Sequence, residues 1–221
     1  MSFLSHSASR HLLPRILISI IGLSLSGIGV GIFLFSQMGL DPASTFEKAL
    51  GAKLGVSFGT AAAIINVVIL LIVFFIDRKY ISISSLLAIF FIGYVADGTS
   101  WVLGRLFTGE LSLPVRLIFI VVGTAVIALG IGTYTTSGLG NSAIDLVSQL
   151  ISDKLHWTYR WVRIGGDVLF VIIGLLLGAR FGADVGPGTI IGALLLGPLV
   201  QALRPAIYRV TDRIPGCHHH S

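Results

Sequence analysis

Two segments break an apolar stretch with glycine and restart it under a polar residue. They are Met38-Gly39-Leu40-Asp41-Pro42-Ala43-Ser44-Thr45 and Ser137-Gly138-Leu139-Gly140-Asn141-Ser142-Ala143-Ile144-Asp145. Asp41 in the first, and Asn141 or Ser142 in the second, are candidate helix N-caps, and Pro42 suits a first helical turn. The free N–H groups at such a start carry partial positive charge and can bind an anionic or polar group. Asp41, Ser44, Thr45, Asn141, Ser142 and Asp145 are therefore expected to line a site for a small solute. The same residues would also serve as ordinary caps of turns exposed to headgroups and water.

Ionisable and amide side chains inside apolar runs form a second group. Asp97 lies between Ile92-Gly93-Tyr94-Val95-Ala96 and Trp101-Val102-Leu103, and Asp167 follows Arg163 by one helical turn. A carboxylate in hydrocarbon costs about 2.5–3.5 kcal/mol on insertion scales, so it faces the bundle interior and a partner. Asp97 and Asp167 are the expected proton-coupling residues, with a structural pair (Arg163 for Asp167) as the plainer alternative. Asn66 and Gln201 are expected to contact solute, although single amides also glue helices together.

Enzyme-like patterns fail. No nucleophile, base and orienting group lie together, and no paired His/Glu motif would hold a metal, so neither catalysis nor a cofactor is expected. The Cys217-His218-His219-His220 run reads as a terminal tail, and His156 beside Trp157 and Tyr159 reads as part of an interfacial belt.

The elements that hold these residues follow from composition. Of 221 residues, 54% are hydrophobic and 11% charged, against about 25% charged in soluble domains. With a mean hydropathy of +0.94, a soluble enzyme or nucleic-acid binder is excluded. The net charge of +5 reflects Lys and Arg in cytoplasmic loops rather than a nucleic-acid surface. Six spans are predicted at Leu12–Ser36, Phe58–Ile76, Ser82–Leu106, Pro114–Thr136, Tyr159–Leu177 and Gly188–Ile207, with short helices at Pro42–Leu54 and Ser142–Leu155. Arg10 and Arg15 precede the first apolar run, which is too long for a cleaved leader and is read as a retained span.

The chain also repeats itself. An offset of 101 residues superposes Arg15 on Arg116, Gly22 on Gly123, Gly29 on Gly130, Ser36 on Ser137 and Asn66 on Asp167. After an insertion at residues 182–186, Gly93 falls on Gly197. Three spans per half would invert the second copy relative to the first, an arrangement found in transporters with a midplane site. The expected fold is an all-α membrane protein with six transmembrane helices. These form two inverted three-helix repeats, each with a short helix after its first span. The expected divisions are a cytoplasmic tail at 1–11, repeats at 12–107 and 108–207, and a cytoplasmic tail at 208–221. Ten of the fifteen Lys and Arg fall on the side of both termini, which places that side in the cytoplasm.

Gly138-Leu139-Gly140-Asn141 through Asp145-Leu146, Gly188-Thr189-Ile190-Ile191 and Gly197-Pro198-Leu199-Val200 resemble the YczE/YitT-type family of small bacterial integral membrane proteins. Met38-Gly39-Leu40-Asp41-Pro42, Ser57-Phe58-Gly59-Thr60 and Ile92-Gly93 with Asp97 extend the resemblance to the first half. The Trp and Asp that follow Gly-x-Gly-Pro in that family's first half are absent here. The resemblance implies a transporter in the bacterial inner membrane, partnered by the bilayer and a small-molecule solute, with no nucleic acid and a homodimer allowed. Pyridoxal-phosphate-binding regulators beside some family members point toward vitamin B6-like compounds. The expected function is a secondary transporter of a small polar or anionic solute, open to proton coupling. Its alternatives are a passive channel with paired half-helices and a non-transporting membrane helper.

Overall fold

The computed structural model describes residues 12–211. Arg10, Arg213 and the Cys217 to His220 run, with the tail assignments built on them, lie outside the described residues. Eight α-helices follow in order: α1 (Leu12–Ser36), α2 (Pro42–Leu54), α3 (Phe58–Ile76), α4 (Ile83–Leu106), α5 (Leu113–Thr136), α6 (Ala143–Leu155), α7 (Tyr159–Leu177) and α8 (Pro187–Thr211). A single 3-10 turn, Arg78–Tyr80, links α3 to α4, and no β-strand occurs among the described residues. Five helices, α1, α3, α4, α5 and α8, are long and apolar enough to cross a membrane. The predicted fifth span, α7, has the expected bounds but carries Arg160, Arg163 and Asp167, which keep it out of that group.

Helix bounds follow local chemistry. Asp41 caps α2 by accepting the Ser44 N–H at 3.2 Å, and Ser57 caps α3 by accepting the Thr60 N–H at 3.2 Å. Ser142, with backbone angles close to those of Asp41, holds the N-cap position of α6, which settles the choice left open with Asn141. The last sequence-predicted span runs further than expected, through Pro198 and Pro205 to Thr211.

The breaks before α2 and α6 are built alike. The Ser36 hydroxyl donates to Phe33 O at 2.8 Å, and the Ser137 hydroxyl to Tyr134 O at 2.7 Å. Both short helices end on a left-handed residue 101 positions apart, Gly55 (φ 68°) and His156 (φ 54°). The next N–H bonds back in each case, Val56 to Gly51 O at 3.0 Å and Trp157 to Ser152 O at 3.1 Å.

Packing centres on α1, which lies against α5 on one side and α4 on the other. A Cβ on Gly22 would meet Gly130 O at 2.8 Å, and one on Gly29 would meet Gly123 O at 2.8 Å. Rising numbers on α1 thus meet falling numbers on α5, so the two helices run antiparallel with their backbones in contact. Toward α4, Gly27 meets Ile92 O and Gly31 meets Ala96 O, a parallel register completed by a 2.8 Å bond between the Ser19 and Ser84 hydroxyls. Further contacts pair α5 with α8, α2 with α3 and α7, and α6 with α3 and α7.

One sequence equivalence does not extend to packing. Gly93 touches Gly59 where α4 meets α3, whereas nothing approaches Gly197 within 4 Å. The inserted turn after α7 bonds instead to the break before α2, through Gly39 N to Ala183 O at 3.0 Å and Leu40 N to Asp184 O at 2.9 Å. That turn draws the chain toward α2 rather than holding α8 on α7. Exposed apolar side chains such as Phe75, Phe90, Leu176 and Leu194 lie on the outer surface, as lipid contact requires.

Candidate functional site

All eight helices contribute to one cavity of about 140 Å³ at the centre of the bundle. At about 10–15 Å³ per water it has room for on the order of ten waters, or one small solute. Its apolar wall includes Val30, Phe33, Ile127 and Ile131, and its polar wall gathers at the starts of α2 and α6.

Five sequence-predicted residues meet there: Asp41, Ser44, Asn66, Ser142 and Asp145. Three do not. Thr45 is fully buried on the far side of α2, donating to Asp41 O and Asp184 O at 3.1 Å each. Asn141 belongs to a separate hollow with Gly138 to Gly140 and the turn at Tyr80 to Ser82. Gln201 sits exposed on α8.

Neither proton-coupling candidate lines the cavity. The Asp97 carboxylate accepts the Gly59 N–H at 2.9 Å and so serves the N-terminus of α3 from a neighbouring helix. Asp167 stands behind Arg163, its Oδ1 3.2 Å from the guanidinium Nε.

Asp145 is the hub of the second half of the site. It accepts from the Ser142 hydroxyl at 2.9 Å, from Tyr134 at 3.3 Å and from Tyr159 at 3.5 Å, and it forms an ion pair with Arg163. Arg163 therefore holds Asp145 and Asp167 together, and its charge is shared between two carboxylates. Spacing in the sequence pairs Arg163 with Asp167, and the fold adds Asp145.

The first half is built differently. Across the 101-residue offset, Phe33, Phe58 and Ala62 stand where Tyr134, Tyr159 and Arg163 stand. The carboxylate and hydroxyl also change places, Asp41 and Ser44 corresponding to Ser142 and Asp145. Asp41 Oδ2 caps α2, while its Oδ1 is buried without a hydrogen-bond partner. Glu47, which sequence reasoning missed, lines the cavity at 5% exposure. Its only sequence signal is the spacing of three from Asp41 to Ser44 and again to Glu47 along one side of α2. Ser26 adds a buried hydroxyl with no partner. Among the described residues, no three His, Cys, Asp or Glu converge tightly enough to hold a metal ion.

The chain is similar along most of its length to three uncharacterized bacterial proteins. Uncharacterized membrane protein YczE of Bacillus subtilis is 29% identical, over 83% of this chain and 82% of its own length. Uncharacterized protein YyaS of the same organism is 24% identical, over 86% of this chain and 92% of its own. An uncharacterized protein of Haemophilus influenzae is 25% identical, over 87% and 84%. No solved structure matches the chain. The model of the family of unknown function DUF6198 matches residues 13–205. With that match covering nearly all the membrane-length helices, the chain belongs to DUF6198, a family of YczE-type membrane proteins.

Proposed function

We propose that this protein is a secondary transporter for a small polar solute in the cytoplasmic membrane. In this reading α7 also crosses the membrane, which brings the spans to six, α2 and α6 enter the membrane without crossing it, and the halves are inverted three-span repeats with both termini in the cytoplasm. The observation that carries the reading is the central cavity, walled by all eight helices and entered by two helix starts from corresponding positions of the halves. Transporters of inverted-repeat design place their sites at such a repeat interface.

Other observations agree with this arrangement. The first helices of the two halves run antiparallel, as inversion requires. The Gly22–Gly130 and Gly29–Gly123 contacts exchange under the 101-residue offset. Tyr80 donates to Asp153 at 2.6 Å, joining the turn after α3 to the end of α6, which share the cytoplasmic side in this topology.

Two experiments test it. In a Cys217→Ser background, Leu54→Cys at the exposed end of α2 should react with an impermeant thiol reagent from outside only. Leu155→Cys at the exposed end of α6 should react from the cytoplasmic side only, and labelling of both from one side overturns the topology. Reconstituted vesicles should show uptake that saturates with solute. Uptake that stays linear in concentration would identify a pore instead.

A further inference from the structure

Carboxyl groups outnumber cations in the cavity wall. Asp41, Glu47 and Asp145 border it with Arg163 as the single cation, and Arg163 is already bound to Asp145 and Asp167. Lys48, next to Glu47 in sequence, turns away and pairs with Asp184 at 2.6 Å. No hydrogen bond or ion pair among the described residues reaches the Glu47 carboxylate, and Asp41 Oδ1 is unbonded. A lone buried carboxyl group costs several kcal/mol to ionise, and a cation that meets it removes that cost.

The helix starts offer an anion little. The carboxylate of Asp41 already occupies the positive end of α2, and Asp145 sits in the first turn of α6. What remains unsatisfied in the wall is Asp41 Oδ1 and the Glu47 carboxyl group, with the Ser26 hydroxyl, 4% exposed and without a partner, able to accept or donate. The Phe33 ring lines the same cavity, and an aromatic ring tolerates a nearby cation. Among the described residues, too few carboxylates converge for a metal ion. A ligand with N–H donors, one positive charge and an apolar body meets each of these surfaces.

We infer that the cavity receives a small organic cation, its ammonium group seated between Asp41 and Glu47. This rests on the solute-site reading above and names the class of solute.

The test uses the purified full-length protein in detergent at fixed ionic strength. Its probes are n-butylammonium, n-butanol and butyrate, which are cationic, neutral and anionic versions of one shape. Melting is followed by the fluorescence of Trp101, Trp157 and Trp161, which none of these probes obscures. Butylammonium should raise the melting temperature saturably, as a ligand of the folded state does, while butanol and butyrate should not. Glu47→Gln and Asp41→Asn should each raise its half-saturating concentration at least about tenfold. If a variant fails to fold, the comparison of the three probes on the natural chain decides alone. Equal stabilisation by butanol or butyrate, or no saturable effect of the cation, overturns the inference. Uptake is read separately in vesicles: cation binding without saturable uptake removes the transporter reading and keeps the cation site. Saturable butyrate uptake without cation binding keeps the transporter and removes the cation site.

Discussion

Glu47 and Ser148 occupy the same turn of α2 and α6, 101 residues apart, and both are almost wholly buried. The Ser148 hydroxyl turns back to its own helix at Ile144 O, 3.4 Å away, while the Glu47 carboxylate borders the cavity. Equivalent backbone positions thus carry unequal chemistry, and the inequality runs through the site. One half is tied down by Tyr134, Tyr159 and Arg163, and the other leaves carboxylates facing open space.

The Arg163 bridge should show this directly. Arg163→Ala strands two carboxylates, Asp145 and Asp167, and is expected to cost about 2–3 kcal/mol, reduced from a fully buried pair by partial exposure. Asp145→Asn strands no carboxylate, because Asp167 still neutralises the guanidinium, and should cost less. Thermal melts of the two variants check the order, and a milder Arg163→Ala would contradict the bridging role.

The central helix crossing should resist any side chain. Gly22→Ala and Gly29→Ala each drive a Cβ onto a facing carbonyl oxygen at 2.8 Å, where only the backbone can give way. Overpacking of this kind costs about 1–3 kcal/mol. Gly98→Ala and Gly165→Ala meet nothing within 4 Å and should stabilise their helices by about 0.5–1 kcal/mol. Melting temperatures moving in opposite directions for the two sets are the expected result.

Asp184 gives a pH dependence outside the membrane spans. Burial pushes its carboxyl up, but the Lys48 ammonium at 2.6 Å and the Arg180 N–H at 2.8 Å outweigh burial and hold it below the ordinary value of 3.8. A carboxylate depressed in the folded state adds stability above its ordinary range and loses it as pH falls through the folded value. Asp184→Asn should therefore melt earlier than the natural chain at neutral pH. The gap should narrow below about pH 4, and a gap constant from neutral to acid would refute the assignment.

Asp97 is expected to act as a cap rather than a proton carrier. Asp97→Asn retains an acceptor for the Gly59 N–H and should melt close to the natural chain, whereas Asp97→Ala should lose about 1 kcal/mol. Gradient-driven uptake should persist in Asp97→Asn. Its collapse at unchanged melting temperature would assign Asp97 the coupling role.

Local chemistry made most of the helix bounds legible. Gly39, Gly138 and Gly140 mark the breaks, while Asp41, Ser57 and Ser82 mark the starts, and each signal needs only neighbours in sequence. The site was legible where its residues sit at those starts, as with Asp41, Ser44, Ser142 and Asp145. Glu47 was hidden because an adjacent Glu-Lys pair reads as a solvated face. Only the approach of Asp184 shows Lys48 turned outward and Glu47 turned in. Thr45 and Gln201 lie away from the cavity for the converse reason, since polarity within a helix does not reveal which neighbour it faces.

The Gly22–Gly130 and Gly29–Gly123 crossing maps onto itself when the two halves are exchanged. An interface with that property is isologous, the kind two identical subunits form about a two-fold axis. A protein of half this length would carry one copy of each surface and could meet its own antiparallel twin through it. Such a homodimer would have to bear the Arg163 bridge twice or not at all. A single chain can bear it once, and so place a net charge on one side of a cavity whose frame is otherwise shared.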